Sequence, residues 1–279
     1  MNCICCKSDR INLKYDTSFF NTAVYRCDSC GLHFSKIDNK NVIEKYYNSS
    51  YWINFKKSKT IKSKIISLFS EIYPYFRFVT QRANSQLKYL NATFESVVEL
   101  GSGRGEAIFQ MRKKGWDVTS IEADVKNANY IKSKYKKVNV INGHFENFFI
   151  TNSFDLVFLS HSLEHSADIN NVISNSFRAL KPGGKLFIEV PNAENIMALN
   201  HSIFNNPHTV HFTRLSIVEL LLKHNFDLED ISAFKYCLND TIFQQSYRTL
   251  KFLFLNKDIY IKSKCSKADV LRVIAIKPR

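Results

Sequence analysis

The chain is poor in residues that break or bend a backbone: its 279 residues include only 8 glycines and 5 prolines. That scarcity excludes collagen-like and low-complexity architectures. No apolar run approaches the ~18 residues that a transmembrane helix needs. The opening MNCICCKSDR lacks the apolar stretch of a secretory leader. The expectation is a cytoplasmic protein without a transmembrane segment, its seven cysteines in reducing surroundings. Acids are also short, 25 against 39 lysines and arginines, for a formal net charge of +14. Such a surplus invites a polyanionic partner: a phosphorylated substrate, nucleic acid, or peripheral contact with an anionic membrane. Part of the surplus is compositional. IKSK recurs at 61–64, 131–134 and 261–264 with no similarity around the copies, which is bias toward Lys and Ile and not an internal repeat.

What is present divides into three regions. Five of the seven cysteines lie in the first 30 residues, as Cys3-x2-Cys6 and Cys27-x2-Cys30. Each CxxC turn aims two thiolates at one point, and four thiolates complete a tetrahedral shell. The spacing predicts a zinc ribbon over residues 1–40, with VYR (24–26) and LHF (32–34) as short strands. A closed four-Cys shell makes the Zn2+ structural. Cys5 is the spare thiol, a swap of Cys5 for Cys6 as ligand stays open, and a disulfide pair is the alternative reading. Residues 41–95 read as a helical lid or linker. Between Ile53 and Leu90 there are eight Lys or Arg and one acid, Glu71. Ile61, Ile65, Ile66, Leu68, Phe69, Ile72 and Tyr73 recur at helical spacing, and Pro74 should end or kink that helix.

From residue 96 to 279 short apolar runs alternate with helical segments. SVVEL (96–100), DVTSIE (117–122), VNVIN (138–142), FDLVFLS (154–160) and KLFIEV (185–190) are the strands. Segments 105–114, 124–136 and 168–180 are the helices. This alternation predicts a doubly wound, Rossmann-like α/β sheet that is mostly parallel. Two more strand-like runs follow, at 230–237 and 270–277.

VVELGSGRGE (97–106) carries the most information. A buried strand runs into Gly101-x-Gly103-x-Gly105, and a helix starts behind it. Glycines there permit a tight turn and close backbone approach to a ligand. The dinucleotide pattern GxGxxG is not met, because Glu106 stands at its third glycine. Glu99 would repel a pyrophosphate but suits a ligand with an amino group and a sulfonium. Glu122 ends the second strand, where a carboxylate accepts hydrogen bonds from two ribose hydroxyls.

Together with NGHFEN (142–147), FDLVFLSHSLEH (154–165) and LKPGGKLFIEVPN (180–192), this string resembles the class I S-adenosylmethionine-dependent methyltransferases over roughly residues 90–280. The resemblance implies a seven-stranded sheet with one antiparallel strand, LKPGG forming the turn before the fifth strand. It implies that Gly101, Gly103 and Gly105 line the methionine portion of S-adenosylmethionine, with Glu99 near its amino group. Glu122 would hold the ribose diol, His144 and Phe145 would meet the adenine, and Ser160 and His161 would border the sulfonium.

Methyl transfer to a hydroxyl or carbon acid also needs a base. SHSLEH supplies His161, Glu164 and His165 at the carboxyl edge of the fourth strand, and PHTVHF (207–212) supplies His208 and His211. Thr213 is the expected N-cap of the following helix. A zinc ribbon ahead of a methyltransferase domain is similar to sugar and surface-glycan methyltransferases. That likeness implies O-methylation of a sugar or glycan precursor, phosphorylated or nucleotide-linked, in capsule or lipopolysaccharide biosynthesis. An rRNA methyltransferase using the ribbon to recognise RNA is the second reading, and a non-catalytic zinc-dependent binding module the third.

Overall fold

The computed structural model describes residues 1–35, 78–235 and 260–279. The helix expected over 61–73, its end at Pro74 and the last residues of the 230–237 run lie outside the described residues. The first part forms three short antiparallel strands, β1 (Ile11–Tyr15), β2 (Val24–Cys27) and β3 (His33–Ser35). Then follow α1 (Phe78–Leu90), β4 (Ser96–Leu100), α2 (Glu106–Lys113), β5 (Asp117–Glu122), α3 (Val125–Lys134) and β6 (Asn139–Asn142). Next come β7 (Phe154–Ser160), α4 (Ile169–Ala179), β8 (Leu180–Pro191), α5 (Ile196–Asn205), β9 (Val210–His211) and α6 (Arg214–Lys223). The last elements are β10 (Asp227–Lys235), β11 (Ile261–Ser263) and β12 (Val270–Ile276).

The larger sheet has the order β11-β10-β12-β8-β7-β4-β5-β6. From β8 to β6 neighbouring strands run parallel, while β12 is antiparallel to both β8 and β10. The seven strands expected from the sequence are all present, and β11 adds an eighth at the edge. Its three residues are solvent-facing (Ile261 is exposed), so they carry no apolar pattern to reveal them.

Alternation sorts the core. Val97, Leu156, Phe158 and Phe187 pack toward Ala83, Leu87, Ile108 and Met111 of α1 and α2. Their sequence neighbours Val98, Val157, Leu159 and Ile188 pack toward Val172, Ile173, Leu220 and Leu221 of α4 and α6. A period of two with both faces apolar is what a helix-covered parallel sheet requires. Helix starts are set by short polar side chains: Asp124, Asp168 and Asn195 cap α3, α4 and α5. Thr213 and Ser216 form a capping box at α6, as expected for Thr213.

KPGG does not separate two elements. It is a bulge inside β8: pairing with β7 jumps from Phe154↔Leu180 to Leu156↔Lys185. The extra residues loop out at Gly183, whose φ of +79° disfavours a side chain.

The cysteine-rich part is joined to the rest. β3 pairs antiparallel with β9, giving a second sheet of order β1-β2-β3-β9. Cys3, Cys5, Cys27, Cys30, Leu32 and Phe34 are buried in the same apolar cluster as α4 and α6. Among the described residues no helix is long and apolar enough to cross a membrane.

Candidate active site

The chain leaves β4 toward β5 on one side and later builds β7 and β8 on the other. A crevice opens at the carboxyl ends of strands where the order reverses this way, and ligands of α/β sheets bind there. The glycine loop occupies this point. Gly101 has φ +79°, and a Cβ on it would meet Ser162 Cβ at 2.7 Å. Gly103 faces open space, with nothing within 4 Å of such a Cβ. Gly105 serves packing instead: it is the N-cap of α2, and a Cβ there would lie 2.9 Å from the Tyr135 ring.

Two buried carboxylates flank the loop. Glu99 is 3% exposed, and its Oε2 has no hydrogen-bond partner. Burial, aided by the charge of Glu106, raises its pKa well above the usual carboxylate range. An orphaned acid oxygen in a cleft is matched by a cationic group such as an ammonium. Glu122 accepts from the Gly103 amide at 2.6 Å and from the Asp124 amide at 2.9 Å. Burial outweighs those amides and lifts its pKa to about 7.

Two adjoining cavities meet at the loop. One, of 370 Å³, is lined by Arg82, Gln86, Glu99, Arg104, Ser160 and His208 among others. The other, of 90 Å³, is lined by Glu122, His144, Phe145, Glu146 and Ser162 among others. Gly101, Gly103, Asn127, His161 and His165 line both. Glu164 and His211 lie behind these walls: Glu164 is 1% exposed and His211 2%.

His161 is held in a left-handed backbone conformation (φ +52°) between two acids. Its Nδ1 is 3.2 Å from Glu164 Oε1 and its Nε2 is 3.0 Å from Glu189 Oε1. Burial and the Arg82 charge oppose protonation, but the two carboxylates outweigh them and raise the pKa. Two carboxylates facing the two ring nitrogens favour the charged ring. Glu189 also accepts from Gln86 Nε2 at 2.7 Å and Arg272 Nε at 2.5 Å. Against its burial, the charges of Arg272 and His161 hold it well below the usual carboxylate range.

Three further histidines of the site favour the neutral ring. Burial lowers the pKa of His165 and His208, and brings His211 to about 3. His165 Nδ1 donates to the Pro207 carbonyl at 3.0 Å, which puts the ring's lone pair on Nε2. Ser202 Oγ bridges His208 Nδ1 at 2.6 Å and His211 Nδ1 at 2.7 Å. One ligand atom each of Glu164, His165 and His208 lie within 4.8 Å of one another, a group to which His161 does not belong.

At the far side of this wall, the Cys3, Cys6, Cys27 and Cys30 sulfurs also lie within 4.8 Å of one another. Cys3–Cys30 and Cys6–Cys27 are 3.7 and 3.6 Å apart. A tetrahedral Zn–S bond of ~2.3 Å implies edges of ~3.8 Å, so the group fits the ion. Burial acts to raise the Cys27 thiol, but the Cys30 and Ser29 amides bring it down to about 7. Cys5 is outside the group and donates to the Ser216 carbonyl at 3.3 Å.

Arg82, Gln86, Arg104, Glu189, Ser202 and Arg272 were missed by the sequence reading. Two of them left a signal: Glu189 in KLFIEV and Arg272 in VLRVIAI are single charges inside apolar strands, and each buried charge demands a partner.

The methyltransferase-domain family model matches residues 73–231. A probable S-adenosylmethionine-dependent methyltransferase of Mycolicibacterium smegmatis is 25% identical over 135 residues, 48% of this chain and only 52% of that relative. A ubiquinone biosynthesis O-methyltransferase of Rickettsia bellii is 22% identical over 245 residues, 79% of this chain and 97% of the relative. A solved S-adenosylmethionine-dependent methyltransferase from Archaeoglobus fulgidus shares the fold at TM-score 0.55 and 19% identity, covering 76% of this chain and 99% of that one. The chain belongs to the methyltransferase-domain family, and its enzyme class is S-adenosylmethionine-dependent methyltransferase.

Proposed function

We propose that this enzyme methylates, at oxygen, a small anionic acceptor: a sugar or glycan precursor that is phosphorylated or nucleotide-linked, in capsule or lipopolysaccharide biosynthesis. One observation carries the reading. The 370 Å³ cavity next to the glycine loop is lined by two guanidinium side chains, Arg82 and Arg104, and by the histidines His165 and His208. Guanidinium groups match phosphate oxygens, and neutral histidines match a hydroxyl that must lose its proton. Cytoplasmic action fits a chain whose described thiols are free.

When bound, S-adenosylmethionine supplies a methyl group already activated on sulfonium. The chain's own residues bind, align and deprotonate. We assign Glu99 to the cofactor's ammonium, using its unpartnered Oε2. Glu122 holds the ribose diol with the lone pairs left by its two amide bonds, since each carboxylate oxygen accepts more than one donor. Gly101 and Gly103 let the backbone approach, His144 and Phe145 flank the adenine, and Ser160 and His161 border the sulfonium. His161 has both nitrogens on carboxylates, so we give it and Glu164 a positioning role. The base is His165 through Nε2, with His208 completing the acceptor wall and His211 supporting it through Ser202. Cys3, Cys6, Cys27 and Cys30 hold one structural Zn2+.

The test is methyl incorporation from labelled S-adenosylmethionine into a panel of nucleotide sugars, sugar phosphates and glycan extracts, with total RNA alongside. Label in a sugar-containing acceptor is expected. Label in RNA alone would replace this reading with the RNA-methylating one.

A further inference from the structure

The strand after the second cysteine pair is built into the acceptor side of the cleft. β3 pairs with β9 as His33↔His211 and Phe34↔Val210, and the Ser35 amide donates to the Thr209 carbonyl at 2.9 Å. Thr213 Oγ1 donates to the carbonyl of Cys30 at 2.9 Å. Residues 209–213 are therefore held from one side by the cysteine module.

The same segment is held from the other side by the loop after β7. The Thr209 amide donates to the Glu164 carbonyl at 2.9 Å, and Thr209 Oγ1 donates to the Ser166 carbonyl at 2.8 Å. Pro207 takes the hydrogen bond of His165. His208 stands between these anchors and lines the larger cavity. Its Nδ1 shares the single hydroxyl of Ser202 with His211, the residue that β3 pairs. One hydroxyl has one proton, so it donates to one ring and accepts from the other. The two imidazoles consequently hold complementary tautomers, and a shift at β9 is passed to the ring of His208. The cofactor loop has different anchors: Gly101 donates to the Ile121 carbonyl, Gly103 to Glu122 and Gly105 to the Ser102 carbonyl.

We infer that the cysteine module is a positioning element for the acceptor half of the site: it sets the wall formed by residues 207–211 and the ring of His208, while the cofactor half stands without it. The inference rests on the structural-zinc reading above and assigns that ion an effect on one half of the cleft. Thr213 and Ser202 are the positioning residues that connect the module to His208.

The experiment uses the full chain, stripped of metal by a chelator and then reloaded with zinc. Bound zinc, affinity for S-adenosylhomocysteine by calorimetry, amide hydrogen exchange, and histidine ring signals by 15N NMR are followed together. Loss of zinc should speed exchange in 207–213 by about tenfold or more. It should also move the ring signals of His208 and His211, and leave S-adenosylhomocysteine affinity within about threefold. Zinc should restore the first two. Protection of 207–213 that survives metal loss would overturn the inference, and so would cofactor affinity falling in step with it. A chain that never carries metal would sink the zinc reading alone. In that case, or if stripping unfolds the chain, Thr213→Val decides when read beside Ser216→Ala: both disturb the α6 cap and leave all four thiols in place, but the bond to Cys30 is cut only in Thr213→Val. Faster exchange at 207–211 with shifted His208 signals is expected of that variant. Wild-type values there, or equal changes in Ser216→Ala, would end the proposal.

Discussion

His161 Nε2 and Glu189 Oε1 lie 3.0 Å apart, at the end of a charge chain that continues through Arg272 into the centre of the sheet. Glu189 and Arg272 are both 0% exposed. Breaking such a pair leaves a buried charge without compensation. Glu189→Leu should therefore lose about 3–5 kcal/mol of stability in urea denaturation. Glu189→Leu combined with Arg272→Met should recover most of it. Equal losses in the single and double variants would show that the pair is not the source.

The glycine loop gives a contrast between two positions. Gly101→Ala drives a methyl group into Ser162, at 2.7 Å from its Cβ, and should abolish measurable S-adenosylhomocysteine binding. Gly103→Ala meets no protein atom within 4 Å, so only its positive φ opposes it in the unliganded fold. That cost to the fold is about 1 kcal/mol, and the methyl also enters the space kept open for the cofactor, so binding should weaken by about tenfold or more while the fold survives. Calorimetry on both variants checks the ranking.

Glu122 makes stability and cofactor affinity move in opposite directions with pH. Its folded pKa, about 7, is raised above the ordinary 4.5. Its contribution to stability is thus present in full below pH 4.5 and is lost as pH climbs to about 7. The loss is on the order of 3 kcal/mol. Accepting ribose hydroxyls needs the ionised form, so S-adenosylhomocysteine affinity should rise severalfold between pH 6 and 8. Glu122→Gln should flatten both trends, as read by thermal melts and calorimetry.

His211 has the reverse sign. Its pKa falls from 6.5 to about 3 because burial disfavours the charged ring. Stability from this group is complete above pH 6.5 and is lost as pH drops toward 3. Melting temperatures between pH 7 and 4 should fall less steeply in His211→Asn than in the parent chain.

His165→Ala should lower kcat by about 10²–10⁴ if this ring takes the acceptor's proton. Affinity for S-adenosylhomocysteine should stay within a few fold. His161→Asn should instead lower stability, since it removes the ring that bridges Glu164 and Glu189. A full kcat in His165→Ala would move the base elsewhere.

Most of the sheet could be read from the chain because its strands are buried on both faces. Runs such as SVVEL and FDLVFLS are mostly apolar, with a single acid each, and end at glycine or serine. Thr213 was legible as a cap because a short hydroxyl ahead of an apolar helix has few other uses. The glycine loop and its flanking acids were legible through spacing. The surroundings of His161 were not, because Glu189 and Arg272 come from strands 28 and 111 residues further on, and no local pattern pairs them. The junction of β3 with β9 was hidden for the same reason: two residues of ladder, Val210–His211, carry no periodicity.

β12 follows β10 in the chain yet lies between β10 and β8 in the sheet. On the ribosome, β8 and β10 therefore emerge with unfilled edges and must wait for a strand translated later. Parallel and long-range pairing is slow, and open edges recruit other chains. A nascent chain of this kind depends on holding β8 and β10 apart until Val270–Ile276 arrives to close the seam.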